Sequence, residues 1–493
     1  VFESATLDHH VDKATFRREE ARLREQLLAA QNELAAGKRF PTLVVVDGVE
    51  GAGKGETVNR LLEWLDPRRV QVHGFGPPSP EESERPVLWR YWRALPPKGS
   101  IGVFFGGWHH AALVARATNE LSDDAFQSRI GQLLRFEQML CEEGVLVLKF
   151  WFHLTKKQQE RRLAALSADP ATAWRVTEHE WAFHRRYDQY VETAETYLQR
   201  TSTGRAPWFV IPGADDRYRS LRFGRALLAS IRERLDQPAA AVPDDSPELP
   251  PPDPVNVLST LDHTPIVTRK KYASELERWQ GRFALLTRHK KFRKRGLIMV
   301  FEGMDAAGKG GAIRRVTQAL DARQYHAVPI ASPTEEERAQ PYLWRFWRHL
   351  PRRGRVLIFD RSWYGRVLVE RVEGFCAERD WMRAYGEIVD FESDLLDHGY
   401  VLVKFWLQIT PEEQLRRFRE RESTPWKQFK ITAEDWRNRE KGPAYDQAVC
   451  DLIDRTSTTR APWHVLPADD KPSTRIRVLR TLTESLERAL AGK

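Results

Sequence analysis

Gly303–Lys309 reads GMDAAGK and fits the spacing G-x-x-x-x-G-K. A loop of this kind curls backbone N–H groups around phosphate oxygens, and the helix that follows adds a favourable dipole. Gly303 and Gly308 free the chain for the curl, and Gly310 and Gly311 keep side chains away from the phosphate. Lys309 brings a point charge to the transferred or neighbouring phosphate. The familiar ending of such loops supplies a serine or threonine hydroxyl to Mg²⁺, but position 310 is glycine. Asp305, inside the loop, can replace it, because a carboxylate is a hard oxygen ligand suited to Mg²⁺. A second acid, Asp360, closes the run RVLIFD, and Arg361 follows at once. Two aspartates at the ends of neighbouring strands can hold metal between phosphates. An arginine beside them can balance charge on a phosphoryl group in flight. Asp305, Lys309, Asp360 and Arg361 are therefore the candidate catalytic residues, with Asp305 and Asp360 as the metal ligands. Arg314 and Arg315, on the helix after the loop, join the phosphate-binding set.

These residues need elements to place them. Gly296–Glu302 (GLIMVFE), Arg355–Asp360, Tyr400–Trp406 (YVLVKFW) and Trp463–Leu466 are short, nearly continuous apolar runs. Helical spacing occupies Gly311–Leu320, Trp381–Leu396, Pro411–Arg421 and Thr474–Leu490. Continuous apolar strands alternating with helices predict an α/β fold with a parallel sheet covered on both faces. A polar, basic insertion, Thr424–Arg455, precedes the last strand.

The chain is a duplication. RTSTGRAPW at Arg200–Trp208 returns as RTSTTRAPW at Arg455–Trp463, an offset of 255 residues. The same offset carries Lys149–Trp151 onto Lys404–Trp406 and Gly53–Gly55 onto Gly308–Gly310. Thr42–Asp216 aligns without a gap to Leu297–Lys471, with roughly three identities in ten, far above the background from average composition. A domain-sized period means two homologous domains, not a solenoid. The predicted division is residues 1–240, a proline-rich linker over 241–256, and residues 257–493. The first copy keeps the loop, as Gly48–Lys54 (GVEGAGK), but Asp360, Arg361 and Ser362 become Phe105, Gly106 and Gly107. Phenylalanine cannot hold Mg²⁺, so chemistry is expected only in the second copy. His109 and His110 beside the lost motif read as polar fillers. Trp89, Trp92, Trp344 and Trp347 occur in both copies, which favours a packing role over base stacking.

Composition narrows the class. The net charge of +9 suits a polyanionic partner. Three scattered cysteines, Cys141, Cys376 and Cys450, make neither a disulfide framework nor a zinc site, which points to a reducing, cytoplasmic setting. No run approaches the 18 or more apolar residues of a membrane span, and the N-terminal stretch lacks a signal-peptide pattern. Neither a membrane nor a nucleic-acid module is expected, and a homo-oligomer is left open.

Three segments resemble the signatures of the polyphosphate kinase 2 family: Gly303–Gly311 (GMDAAGKGG), Asp360–Arg366 (DRSWYGR) with Val369–Glu370, and Ala461–Lys471 (APWHVLPADDK). The resemblance covers the whole second copy, and the first is a diverged version. The fused arrangement, with Gly365 where single-domain relatives often carry asparagine, is similar to the class II members, which transfer phosphate from polyphosphate to AMP. The resemblance implies two tandem P-loop kinase-like domains, each a parallel sheet flanked by helices with a helical lid. It also implies Mg²⁺, with Mn²⁺ as an alternative, and inorganic polyphosphate as donor. The basic insertion then becomes the lid, with Lys427, Lys430, Arg437, Arg439 and Lys441 over the phosphates. Arg345, Arg348, Arg352 and Arg353 extend the basic track. Arg366, Glu370 and Arg371 fall at nucleotide-binding positions. ADP or GDP as acceptor is the alternative within the family, and a non-catalytic polyanion-binding protein the alternative outside it.

Overall fold

Strands buried on both faces show no polar alternation, and the apolar runs form such strands. The computed structural model describes residues 1–237, 253–264 and 266–492. The predicted linker, 241–256, lies outside them except for 253–256. Two compact units are present. The first is built mainly from residues 1–78 and 88–237 and takes in Pro333–Arg345; the second is built from Ser79–Val87, 253–332 and 346–492. In the first unit the strands are β1 (Thr42–Gly48), β2 (Val70–Gly74), β3 (Ile101–Phe105), β4 (Leu146–His153) and β5 (Trp208–Pro212). In the second they are β6 (Gly296–Gly303), β7 (Tyr325–Pro329), β8 (Val356–Asp360), β9 (Tyr400–Gln408) and β10 (Trp463–Pro467). Each unit is one five-stranded sheet, ordered β2-β3-β1-β4-β5 and β7-β8-β6-β9-β10, with every pairing parallel.

The two faces of the second sheet divide β6 by parity. Leu297, Met299 and Phe301 join Val403, Phe405, Ile476, Leu479 and Leu482 in one core beneath the helices Arg269–Arg288, Lys309–Thr317 and Lys471–Ala491. The other face is sealed by aromatic packing around Trp363, whose ring lies 5.3 Å from Phe359 and 5.0 Å from Phe391 on the helix Glu378–Asp397. Trp89, Trp92, Trp344 and Trp347 are all buried, so packing accounts for their recurrence.

Two expectations change. β7, and its counterpart β2, carry no apolar run: in Tyr325–Pro329 only Val328 is buried. An edge strand pairs on one side and needs no continuous hydrophobic stretch. The helix predicted over Gly311–Leu320 spans Lys309–Thr317, because Gly308, at φ 101°, starts it two residues earlier.

A buried ion pair recurs in both units. Lys404 on β9 donates to Glu392 Oε2 at 2.7 Å, to Tyr364 Oη at 3.0 Å and to the Thr456 carbonyl at 2.8 Å. Glu392 Oε1 accepts from Trp363 Nε1 at 3.0 Å and from Tyr364 Oη at 2.6 Å. In the first unit Lys149 and Glu137 repeat the pair at 2.6 Å, and His109 takes the place of Tyr364, with Nε2 2.6 Å from Glu137. His109 is thus a polar filler, as expected. Loss of water around Lys404 pulls its ammonium pKa down, and Glu392 restores part of it. Removing one partner strands the other charge, so Glu392→Ala should destabilise the second unit by about 3–5 kcal/mol in a denaturant titration. A loss below about 1 kcal/mol would mean that the network contributes no more than an exposed pair.

Candidate functional site

The strand order builds the site. From β6 the chain runs to β7 and β8 on one side and then to β9 on the other, so the loops after β6 and β8 open at the same edge of the sheet. The register sets Phe301 opposite Asp360, which brings the end of β8 beside the start of the glycine loop. Gly303 has φ 149°, and a Cβ there would lie 2.5 Å from the Leu407 carbonyl oxygen. Only a glycine lets the loop rest on the backbone of β9.

Lys309 donates to the Gly303 carbonyl at 2.6 Å and the Met304 carbonyl at 3.3 Å, which ties the loop to its own helix. Burial lowers its pKa, and Asp305 opposes that shift. Asp305 is the hub. Its Oδ1 accepts from Arg361 Nη2 at 3.2 Å, and its Oδ2 from Asn438 Nδ2 at 2.8 Å. Desolvation works against the Arg361 charge, but Asp305 and Glu302 outweigh it and raise the guanidinium pKa. Asp360 acts electrostatically on both Lys309 and Arg361. The four predicted catalytic residues therefore share one field.

A cavity of about 440 Å³ opens here, within the range of small-molecule sites. Asp305, Arg361, Asn438 and Arg439 line it together with Leu368, Val369, Pro443 and Val449, so charged and apolar groups share the wall.

The other predicted residues divide. Arg439 reaches the site, donating to the Pro411 carbonyl at 2.7 Å and to Gln414 Oε1 at 2.9 Å. Lys427 is held by Glu420, while Arg437 and Lys441 both pair with Glu373, at 3.2 and 2.9 Å. Lys430 and Arg314 are exposed, and Arg315 is half-buried. Arg366 pairs with Glu370 at 2.8 Å, and Arg371 pairs with Asp451 at 2.7 Å while stacking on Trp381. None of these three lines the cavity, although Gly365 and Val369 beside them do. Arg345 is buried, with Glu337 at 3.2 Å, and so leaves the basic track. The polar insertion is shorter than Thr424–Arg455: Pro425–Lys430 and Ala433–Glu440 are polar helical turns, but Gly442–Thr456 buries Ala448, Val449, Leu452 and Ile453 in the body.

Sequence reasoning missed Glu302, Asn438, Gln414, Arg417 and Ser362. Gln414 Nε2 donates to the Asp305 carbonyl at 3.2 Å, and Arg417 Nη1 donates to the Ala306 carbonyl at 2.9 Å, so both brace the glycine loop. Ser362 donates to Glu302 Oε1 at 2.8 Å, and burial raises the Glu302 pKa. A glutamate closing an otherwise apolar strand was the available signal for Glu302.

The first unit shows what a filled loop looks like. Lys54 donates to the Gly48 carbonyl at 2.8 Å and pairs with Glu50 at 3.0 Å. Glu56, at the position of Gly311, is held by Arg162 at 2.6 Å, Arg219 at 2.9 Å and Arg175 at 3.0 Å. The charges that could meet a phosphate meet the chain's own carboxylates instead.

The carboxylates of Asp305 and Asp360 are hard oxygen donors, the ligand chemistry that Mg²⁺ prefers. Among the described residues no group of three His, Cys, Asp or Glu could cage a metal without substrate. No helix among them is long and apolar enough to cross a membrane.

The polyphosphate kinase 2 family model matches residues 10–238 and 266–492. The chain belongs to the polyphosphate kinase 2 family. It is 52% identical over 491 residues to the polyphosphate:AMP phosphotransferase of Pseudomonas aeruginosa, covering 99% of each chain. To the enzyme of that name from Pseudomonas syringae pv. tomato it is 50% identical, covering 100% of this chain and 99% of the other. A crystal structure described as a polyphosphate kinase 2 from Pseudomonas aeruginosa superposes with a TM-score of 0.90 at 50% identity, covering 100% of both chains. In this polyphosphate kinase 2 protein the glycine loop depends on close approach, which a substitution can test. Gly303→Ala must move β9 or the loop. Gly308→Ala meets nothing within 4 Å and bears only the cost of a left-handed backbone, about 1–2 kcal/mol. Thermal unfolding should show the larger loss for Gly303→Ala; equal losses would contradict the packing argument.

Proposed function

We propose that the second unit is a polyphosphate:AMP phosphotransferase, moving a terminal phosphoryl group from inorganic polyphosphate to AMP to give ADP, reversibly. The observation that carries this reading is the pair Asp305 and Arg361 in the wall of one cavity, in one electrostatic field with Lys309 and Asp360, set against the first unit, where the acid and arginine are gone. The names of the relatives at 50–52% identity support AMP as acceptor. We assign catalysis to residues 257–493 and a non-catalytic role to 1–240.

The reaction breaks the terminal P–O–P bond of polyphosphate and forms a P–O bond to an AMP phosphate oxygen. That oxygen is already ionised, so no general base is required and no covalent enzyme intermediate forms. Catalysis reduces to positioning and charge neutralisation. The glycine-loop N–H groups and Lys309 hold the phosphates in line. Arg361 faces the charge on the phosphoryl group in flight. Asp305 and Asp360 would hold Mg²⁺, or Mn²⁺ in its place, which when bound neutralises phosphate oxygens. Asn438 and Arg439 approach from the lid, and Lys427, Lys430, Arg437 and Lys441 carry the chain of phosphates beyond it, with Arg314 and Arg315 on the loop helix. Arg366, Glu370 and Arg371 support the acceptor side by backing the wall formed by Gly365 and Val369.

Incubation with AMP, polyphosphate and Mg²⁺ should yield ADP, with ADP and GDP as parallel acceptors. Turnover with ADP or GDP alone would keep the family and overturn the acceptor. Asp360→Asn should lower turnover by about a hundredfold or more while polyphosphate binding persists. A wild-type protein that binds polyphosphate yet transfers nothing to any nucleotide would favour the polyanion-binding alternative.

A further inference from the structure

Arg361 holds an unusual backbone. Its φ is 63°, in the left-handed region that a bulky residue enters at a cost of order 1–3 kcal/mol. Its amide is fixed to β6, donating to the Phe301 carbonyl at 3.0 Å. The next residue, Ser362, is 1% exposed; its hydroxyl donates to Glu302 Oε1 at 2.8 Å and accepts from the Tyr364 amide at 3.3 Å. Glu302 is itself buried, at 5% exposed.

The first unit is an internal control. Gly106 stands where Arg361 does, with φ 67°, and its amide donates to the Val46 carbonyl at 3.2 Å, the same anchor on the central strand. The turn therefore belongs to the fold and survives without chemistry. Its bracing does not survive: Gly107 replaces Ser362, and Asp47, in the place of Glu302, lies 3.0 Å from His110 instead. A glycine occupies the left-handed region at little cost and carries no side chain to aim. An arginine bears the strain and has a side chain to aim, and the buried hydrogen bond occurs in the unit that has the arginine.

We propose that the Ser362–Glu302 hydrogen bond is the brace that keeps Arg361 in its left-handed conformation and so aims its guanidinium at Asp305 and the cavity. Ser362 and Glu302 are positioning residues for transfer. This rests on the reading of Arg361 as the group that meets the phosphoryl charge. The predicted cost of losing the brace falls on kcat, because a guanidinium that wanders from its place still permits substrate binding.

The test is a double-mutant cycle on the full chain, assayed with AMP, polyphosphate and Mg²⁺. Ser362→Ala should lower kcat roughly tenfold to a hundredfold, with KM for both substrates changed by no more than about twofold. Glu302→Gln keeps an oxygen to accept the bond and should lose less than Glu302→Ala. In an Arg361→Gly background, which copies the first unit, Ser362→Ala should cost no more than about a further twofold. Circular dichroism and thermal unfolding check that each variant folds, and Glu302→Ala measured against Glu302→Gln carries the comparison should Ser362→Ala fail to fold. A Ser362→Ala enzyme with wild-type kcat, beside an inactive Arg361→Gly, overturns the brace alone. An equal loss in both backgrounds overturns it too, since the hydroxyl would then act without the arginine. An Arg361→Gly enzyme with wild-type kcat overturns the role of Arg361 and the brace together.

Discussion

A lysine without water organises the second unit. Lys404 projects from β9 into the sheet's aromatic face and is neutralised there by Glu392, with Tyr364 and the Thr456 carbonyl completing its shell. A buried ammonium is tolerable only when every proton finds an acceptor. That requirement fixes three separate segments against one strand: the helix bearing Glu392, the turn bearing Trp363 and Tyr364, and the end of the helix at Thr456. The turn is the one that begins at Asp360. Its chemistry-bearing residues are thus held from behind by Lys404 and from the side by Glu302.

The duplication separates architecture from chemistry. The Lys–Glu pair, the buried tryptophans, the left-handed turn and the glycine loop persist in both units, so they belong to the fold. Asp360, Arg361 and Ser362 occur in the second only. In the first unit the loop lysine turns to Glu50, and Glu56 collects three arginines. Charge that would otherwise repel within a basic site is satisfied internally.

The candidate site is electrostatically dense. Lys309 and Arg361 share one electrostatic field with Asp305, Asp360 and Glu302. Such a field suits a reaction that moves charge between phosphates and asks little covalent work of the protein. Arg439 and Asn438 couple that field to the polar insertion, because both bond to residues that form or brace the glycine loop.

The amino-acid sequence by itself determined the duplication, the parallel α/β class, the glycine loop, the two aspartates with their arginine, and the loss of the acid in the first copy. These are local: a spacing, an apolar run, a residue type at an aligned position. The edge strand Tyr325–Pro329 escaped it, because one-sided pairing leaves no apolar run. The extent of the polar insertion escaped it too, because the buried face of Gly442–Thr456 shows only in the packed structure. Only the tertiary structure decided which basic residues face the cavity. Arg439 does, whereas Arg371, Arg437 and Lys441 are held by acids far away in sequence. It alone brought Glu302 to Ser362 and Asn438 to Asp305, pairs separated by 60 and 133 positions. Partner choice among charges depends on distance through space, and no spacing along the chain encodes it.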